Sequence, residues 1–405
     1  MTTEAQRIDL SDPASFAAGQ PHDQYRWLRE RDPVYWHPER DGSGFWAVMR
    51  YNDVVAVGRD AETFSSFKGG IQLADASEAE LAGSRLMMLF KDPPEHTRYR
   101  LLVSRGFTPR SAARLTPRIH ELAAQIIDRV IERGECDLVA DIAGELPSFV
   151  IAELMGIPRD DGRRLYELTE IMHSADPTLT PAQRYGAIAE MLTYAAGVAR
   201  AKRARPGDDL ASVLVAAEVE GERLSEDEFN YFFLLLVNAG GDTTRNLVAG
   251  GMAALFDHPA ERARLQTDLD GLLPTAVDEL LRYCSPVVHM RRTATRETTL
   301  GGKRIAAGDK VVMFYGSANR DVAVFPAPDR LDVGRTPNEH VAFGGGGPHF
   351  CIGAHLARIE IAAMLRAIFT RLPDITPAGP VEWLPSVFIS GPRRLPVRFT
   401  PGRVG

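Results

Sequence analysis

The sequence predicts a mainly α-helical chain with a small β region, and three observations carry that reading. Helical periodicity dominates from Pro94 to about Phe256. The longest run opens at Ser225 and stops at Pro259, which gives about 32 helical residues, roughly 48 Å at 1.5 Å per residue. Short β-like runs are confined to either side of this helical stretch. No Gly/Ser-rich linker and no internal repeat divides the 405 residues, so residues 1–405 read as one domain.

Taken in order, the β-rich part covers about residues 30–65. Val34-Tyr35-Trp36 and Phe45-Trp46-Ala47-Val48 read as two strands around the polar turn Asp41-Gly42-Ser43-Gly44. Residues 66–91 read as a long irregular connection, a kind often functional. The helical part covers about 94–285 and breaks at Arg205-Pro206-Gly207-Asp208. Ser225 with Glu228 three residues later is a capping box. Tyr231 to Val237 is apolar on every side, so this helix runs through the interior. At its middle stands Ala239-Gly240-Gly241-Asp242-Thr243-Thr244. Each glycine there costs about 1 kcal/mol relative to alanine, and an unpaired buried carboxylate costs more. One reading is structural: glycines for close packing, Asp242 paired with a nearby arginine, Thr243 bonded back to the Ala239 carbonyl. The other is a weak, polar break that opens a groove beside an acid and a hydroxyl able to pass protons. Residues of about 286–353 hold β-like runs bracketed by Gly301-Gly302 and Ala307-Gly308-Asp309, then a glycine-rich loop. A final helix over about 354–371 and a β hairpin to about 400 close the chain.

Composition bounds the function. The chain is 44% hydrophobic and 25% charged, which excludes wholesale disorder. Its net charge of −7 argues against a nucleic-acid partner. Three cysteines exclude a disulfide scaffold and suit a reducing cytosol. Residues 1–20 lack a signal's apolar segment, and Phe229–Val237 is far short of the roughly 20 residues of a membrane span. A soluble cytoplasmic protein without a transmembrane segment is expected.

The most informative stretch is Phe343-Gly344-Gly345-Gly346-Gly347-Pro348-His349-Phe350-Cys351-Ile352-Gly353. Four glycines let the backbone turn tightly and approach something flat and large. Cys351 precedes a helix whose apolar positions Ile361, Leu365, Ile368 and Phe369 follow helical spacing. Amides at a helix N-terminus favour the thiolate, the form that ligates metal. No Lys-Ser/Thr follows, which argues against a phosphate cradle. Zinc on His349, Cys351 and His355 is weakly supported, because Cys136 and Cys284 lack paired spacing and read as ordinary buried thiols.

These residues resemble the cytochrome P-450 family of haem-thiolate monooxygenases, in particular a bacterial branch of lipid- and steroid-oxidising members. The Cys351 loop resembles its haem signature, Ala239–Thr244 its oxygen-activation motif, and Glu279-Leu280-Leu281-Arg282 its Glu-x-x-Arg helix. The likeness spans nearly the whole chain, with the three motifs in order. The resemblance implies a P-450 fold with haem b between the long central helix and the cysteine-loop helix, and O2 as co-substrate. Cys351 is then the axial thiolate, with Gly353, Ala239 and Gly240 near the porphyrin and Phe343 shielding the sulfur. Phe343 stands eight residues before Cys351, where the common family pattern has seven. His96, Arg100, Arg292 and His349 are the implied propionate partners. Glu279 and Arg282 form a buried structural network with a third arginine, Arg330 being carried forward and Arg335 left open.

The implied activity inserts one oxygen atom of O2 into a C–H bond of a lipophilic small molecule: steroid, terpenoid, fatty acid or polyketide. Asp242 brings protons from solvent, and Thr243 holds dioxygen and a water by hydrogen bonds. Leu86, Met87, Met88, Val237, Val287, Val288, Phe388 and Ile389 are the candidate pocket lining, with no charged anchor. No reductase domain is visible, so electrons come from a ferredoxin or flavodoxin with its own reductase, and Arg98 and Arg358 are docking candidates. A monomer is expected. The competing classes are a haem-thiolate sensor without turnover and a zinc hydrolase.

Overall fold

The capping signals around Ser225 set the longest element. In the computed structural model, which describes residues 8–404 except Asp41, residues 174–178 and Glu220, Ser225 Oγ accepts from Glu228 N–H (3.2 Å) while the Glu228 carboxylate accepts from Ser225 N–H (2.8 Å). The helix Glu226–Asp257 follows, 32 residues long. It stays continuous through Gly240-Gly241, so the expected weak break is a polar patch in an unbroken helix. The helices Glu145–Met155, Arg159–His173 and Pro181–Ala204 pack around it, as do Leu269–Cys284 and Ala354–Arg371. Phe229, Phe232, Phe233 and Leu247, almost fully buried, are the apolar surface that holds it there.

The strands at Val34–His37 and Phe45–Val48 form as expected, antiparallel with Trp36 opposite Trp46. They extend into a five-stranded sheet through Lys310–Phe314, His289–Ala294 and Phe64–Ser65. Sequence separations of more than 240 residues are closed here, and alternation on so short a run says nothing about its partner. Two further departures differ in origin, one a local cap and the other a long-range pairing. Residues 66–91 include a helix, Glu78–Ser84, with a capping box on Ser77 and Glu80. The helical half contains a strand, Glu135–Asp137, that pairs with Pro396–Arg398.

The glycine-rich loop packs on the helix Tyr51–Arg59. A Cβ on Gly347 (φ +76°) would lie 2.3 Å from the Gly58 carbonyl, and one on Gly345 2.9 Å from Val55 Cα. The loop therefore touches backbone with backbone, which only glycine permits.

Several histidines are folded into this structure in neutral form. Burial lowers the pKa of His22, His37, His289 and His340, that of His289 from 6.5 to about 4. The unfolded chain binds a proton on His289 below about pH 6.5 while the folded chain does not. Stability is therefore whole above that pH and falls as pH drops toward 4, by about 3 kcal/mol for His289 alone. Denaturant midpoints of the haem-free chain, measured across this window, should fall steeply.

Candidate active site

Cys351 occupies the turn that leads into the helix Ala354–Arg371. Its N–H donates to the Phe343 carbonyl (3.0 Å), which closes the glycine loop on itself. The residue is exposed on one side, while its sulfur is packed densely enough on the other that burial raises the thiol's pKa. The N–H groups of Gly353 and Ala354 and the charges of Arg100 and Arg358 pull the other way. The helix amides favour the thiolate as expected, but without a cation against the sulfur burial outweighs them. A Cβ on Gly353 would stand 4.0 Å from Cys351 Sγ with no other neighbour within that range, so the glycine keeps the space over the sulfur clear.

His96, Arg100, Arg292 and His349 come together from three separate parts of the chain. The His96 and His349 rings lie 4.2 Å apart. The charges of Arg100 and Arg292 bear on both histidines, whose pKa values fall to about 4 and about 2, chiefly through burial. Among the described residues, both nitrogens of His96 are buried without a hydrogen-bond partner. Arg292, also buried, has one side-chain hydrogen bond among the described residues, to the Arg291 carbonyl (2.8 Å). Arg100 donates to the Pro348 carbonyl (3.1 Å). Asp92 is the acid that bears on His96 and Arg292, but its oxygens are taken by Ser65 Oγ and Ser66 N–H. Four basic side chains gathered with so few acceptors form a site for an anion.

The middle of the central helix shows both of the readings raised above. Thr243 Oγ1 donates to the Ala239 carbonyl (2.9 Å). A Cβ on Gly240 would meet Ile151 at 2.7 Å, so that glycine serves close packing against the helix Glu145–Met155. Asp242 is buried and faces Arg245 at 3.5 Å. Yet Tyr231, Leu235, Ala239 and Thr243, four residues apart, are exposed or half-exposed, as are Asn238 and Gly240 beside Ala239. That stripe is an open face.

The candidate lining residues divide. Leu86, Met87, Val287, Phe388 and Ile389 are half-exposed, and Val287 bridges Ile389. Met88 is buried in the helical core. Val237 is also buried and lines a small separate cavity with Ser148, Ile151 and Tyr166. Val288, just ahead of the strand His289–Ala294, is fully buried in the cluster of Leu10, Phe16 and Tyr25, so its side chain is core. Cys136 and Cys284 are half-buried thiols whose pKa values burial pushes up to about 12. Among the described residues no three His, Cys, Asp or Glu groups gather as for a metal ion, so the zinc set of His349, Cys351 and His355 is not assembled.

The third arginine of the structural network is Arg335, not Arg330. Arg282 grips Glu279 with two hydrogen bonds of 2.8 Å, and Arg335 Nε donates to the same carboxylate at 3.0 Å. The Arg330 side chain is 69% exposed and only its backbone carbonyl takes part, accepting from Arg282. Spacing could not separate the two, because the loop between them folds back.

A family model described as "Cytochrome P450" matches residues 198–373. The methyl-branched lipid omega-hydroxylase of Mycobacterium tuberculosis is 41% identical over 387 residues, covering 92% of this chain and 90% of its own. The chain belongs to the cytochrome P450 family. The steroid C26-monooxygenase of the same organism is 37% identical over 405 residues, covering 97% of this chain and 93% of its own. A Mycobacterium marinum cytochrome P450 solved in complex with pseudoionone superposes with a TM-score of 0.91 at 40% identity, covering 97% and 99% of the two chains.

A cytochrome P450 monooxygenase carries haem, and the residues here fit it. Haem presents two carboxylates, and the basic cluster leaves buried nitrogens without acceptors. It needs a sulfur approachable from one side, and Cys351 is exposed on one side only, with Gly353 holding that approach open. Sequence reasoning missed Ser65 and Ser66, which hold Asp92 away from the cluster, and Tyr166 and Glu170, which join Arg245 beside Asp242. An arginine three residues after the acid was the available signal. No helix among the described residues is long and apolar enough to cross a membrane.

Proposed function

We propose that this P450 inserts one oxygen atom of O2 into a C–H bond of a lipophilic small molecule of the fatty acid, steroid, terpenoid or polyketide classes. The observation that carries the reading is Cys351, open on one side and flanked by a buried basic cluster with unsatisfied donors. Haem, when bound, supplies the activation of dioxygen, favoured by a thiolate ligand. Cys351 provides that thiolate, and the cation it meets reverses the burial penalty on its charge. His96, Arg100, Arg292 and His349 bind the two propionates. Arg358 lies 4.7 Å over the Phe343 ring and is held by Asp278 at 2.7 Å, so it braces the ring that borders the cysteine loop. Thr243, now closed on the Ala239 carbonyl, can turn its hydroxyl toward dioxygen, and Asp242 supplies protons.

Leu86, Met87, Val287, Phe388 and Ile389 line the substrate cavity, and their apolar character suits a lipid rather than a charged metabolite. The activities named for the mycobacterial relatives support a branched fatty acyl chain or a sterol side chain as first candidates. Electrons come from a separate ferredoxin or flavodoxin with its reductase. The free cysteines support a cytoplasmic setting.

The test is a titration of purified holoprotein with methyl-branched fatty acids, steroids and terpenoids, followed by product analysis. A fitting substrate displaces water and shifts the iron from low to high spin, then gives a hydroxylated product. Thr243→Ala should still consume reductant while releasing several times more hydrogen peroxide per product. Silence across the panel, or unchanged coupling in the variant, would overturn the respective assignment.

A further inference from the structure

The polar side chains beside Asp242 form more than an ion pair. Arg245, one turn on, binds the carboxylate of Glu170 and the hydroxyl of Tyr166, both on the helix Arg159–His173. Glu170 is also within hydrogen-bonding reach of Asp242 itself. Two carboxyl groups thus share one guanidinium. The inner one, Asp242, is buried with a side chain 9% exposed, and the outer one, Glu170, has a side chain 46% exposed. The pair spans from solvent to the residue next to Thr243.

We infer that Glu170 is a positioning residue for proton delivery, the solvent-side carboxyl of a two-carboxyl relay that ends on Asp242. This rests on the monooxygenase reading and extends it. A hydronium ion from solvent gives a proton to the Glu170 carboxylate and is left as water. The Glu170 O–H bond then breaks as that proton passes to an Asp242 oxygen, and Asp242 releases it toward the Thr243 turn. No group is oxidised or reduced, and Arg245 stays protonated and keeps both carboxyls in place. Two carboxylates on one guanidinium repel each other, which makes a proton on one of them less costly than on an isolated carboxylate. In agreement, burial and the Asp242 charge raise the pKa of Glu170 against the pull of Arg245.

No other described charge competes for the outer carboxyl. On its own helix, Arg163 turns to Glu145 (3.3 Å) and Arg164 to Glu190 (2.9 Å). From the neighbouring helix, Tyr194 turns to Asp161 (2.6 Å).

The experiment compares wild type, Glu170→Gln and Glu170→Asp holoenzymes with a turnover substrate from the panel above. Glu170→Gln should lower product formation by about 10- to 100-fold, the upper figure being the low end for a positioned proton-transfer group. Wild-type coupling should fall as pH rises and Glu170 loses its proton. That limb should be absent in Glu170→Gln and restored in Glu170→Asp. Independently of turnover, the infrared difference spectrum of the resting protein between two pH values should contain a neutral-carboxyl stretch that Glu170→Gln and Asp242→Asn each remove. A wild-type pH profile in Glu170→Gln, or a carboxyl band indifferent to both variants, overturns the relay. Loss of the red-shifted carbon monoxide band in wild type would instead overturn the haem-thiolate reading beneath it.

Discussion

Cys351→His should abolish the red-shifted absorption of the reduced carbon monoxide complex and reduce substrate hydroxylation to background. The argument is electronic. A thiolate pushes electron density onto haem iron and favours O–O cleavage, and a neutral imidazole does not. The change should leave the fold nearly untouched. Cys351 is exposed on its open side, and its structural bond is made by the backbone N–H to Phe343, which histidine retains. Haem binding should also survive in part, since the propionate contacts proposed for His96, Arg100, Arg292 and His349 do not involve the sulfur. The controls are Cys136→Ser and Cys284→Ser. Both thiols are pushed up to about 12 and stand outside the cluster, so their loss should leave the band in place. Retention of the band in Cys351→His, measured on haem-replete protein, would remove Cys351 from its role.

The second large effect is on stability. Glu279→Ala should destabilise the protein by at least about 3–5 kcal/mol, the usual cost of breaking a buried ion pair from one side. That is a large share of the 5–15 kcal/mol that typically separates folded from unfolded, so most of the variant should be insoluble. Glu279 and Arg282 are both fully buried. Their removal from water is compensated only by a closed set of bonds. The Glu279 carboxylate accepts from Arg282, Arg335, the Asp332 N–H (2.9 Å) and Asn338 (3.2 Å). Arg282 directs its remaining donors to the carbonyls of Asn319 and Pro328, both at 2.8 Å, and of Arg330 at 3.2 Å. Together they clamp residues 319–338 to the helix Leu269–Cys284. Alanine at 279 leaves two buried guanidinium groups without their counter-charge. Arg330→Ala is the informative contrast: its side chain is exposed and its contribution is a carbonyl, so the expected change is within about 0.5 kcal/mol. Equal destabilisation by Arg330→Ala and Arg335→Ala, read from denaturant midpoints, would contradict the assignment of the third arginine.

The parts of the site that lie close together in the chain were legible before any coordinates. The capping box at Ser225, the length of the central helix and the final helix Ala354–Arg371 follow from local rules, and the structure reproduces their bounds. Cys351 and its glycines could be read for the same reason: a sulfur, the turn that presents it and the helix that follows occupy one continuous stretch. The Arg245 that faces Asp242 was legible as a generic pairing, three residues along one helix.

What the tertiary structure decided is every contact between distant segments. It chose Arg335 over Arg330, left Val287 half-exposed while putting Val288 in the core, and brought Glu170 to Arg245 beside Asp242 across two helices. It also gave the glycine-rich loop its reason, since Gly345 and Gly347 meet the helix Tyr51–Arg59 some 290 positions earlier. The physical reason is common to all of these. Hydrogen bonds, caps and turns act over a few residues and leave their mark in residue order. The pairing of buried charges and the choice of which face is covered depend on which surfaces the hydrophobic core brings together, and that is a property of the whole packed chain.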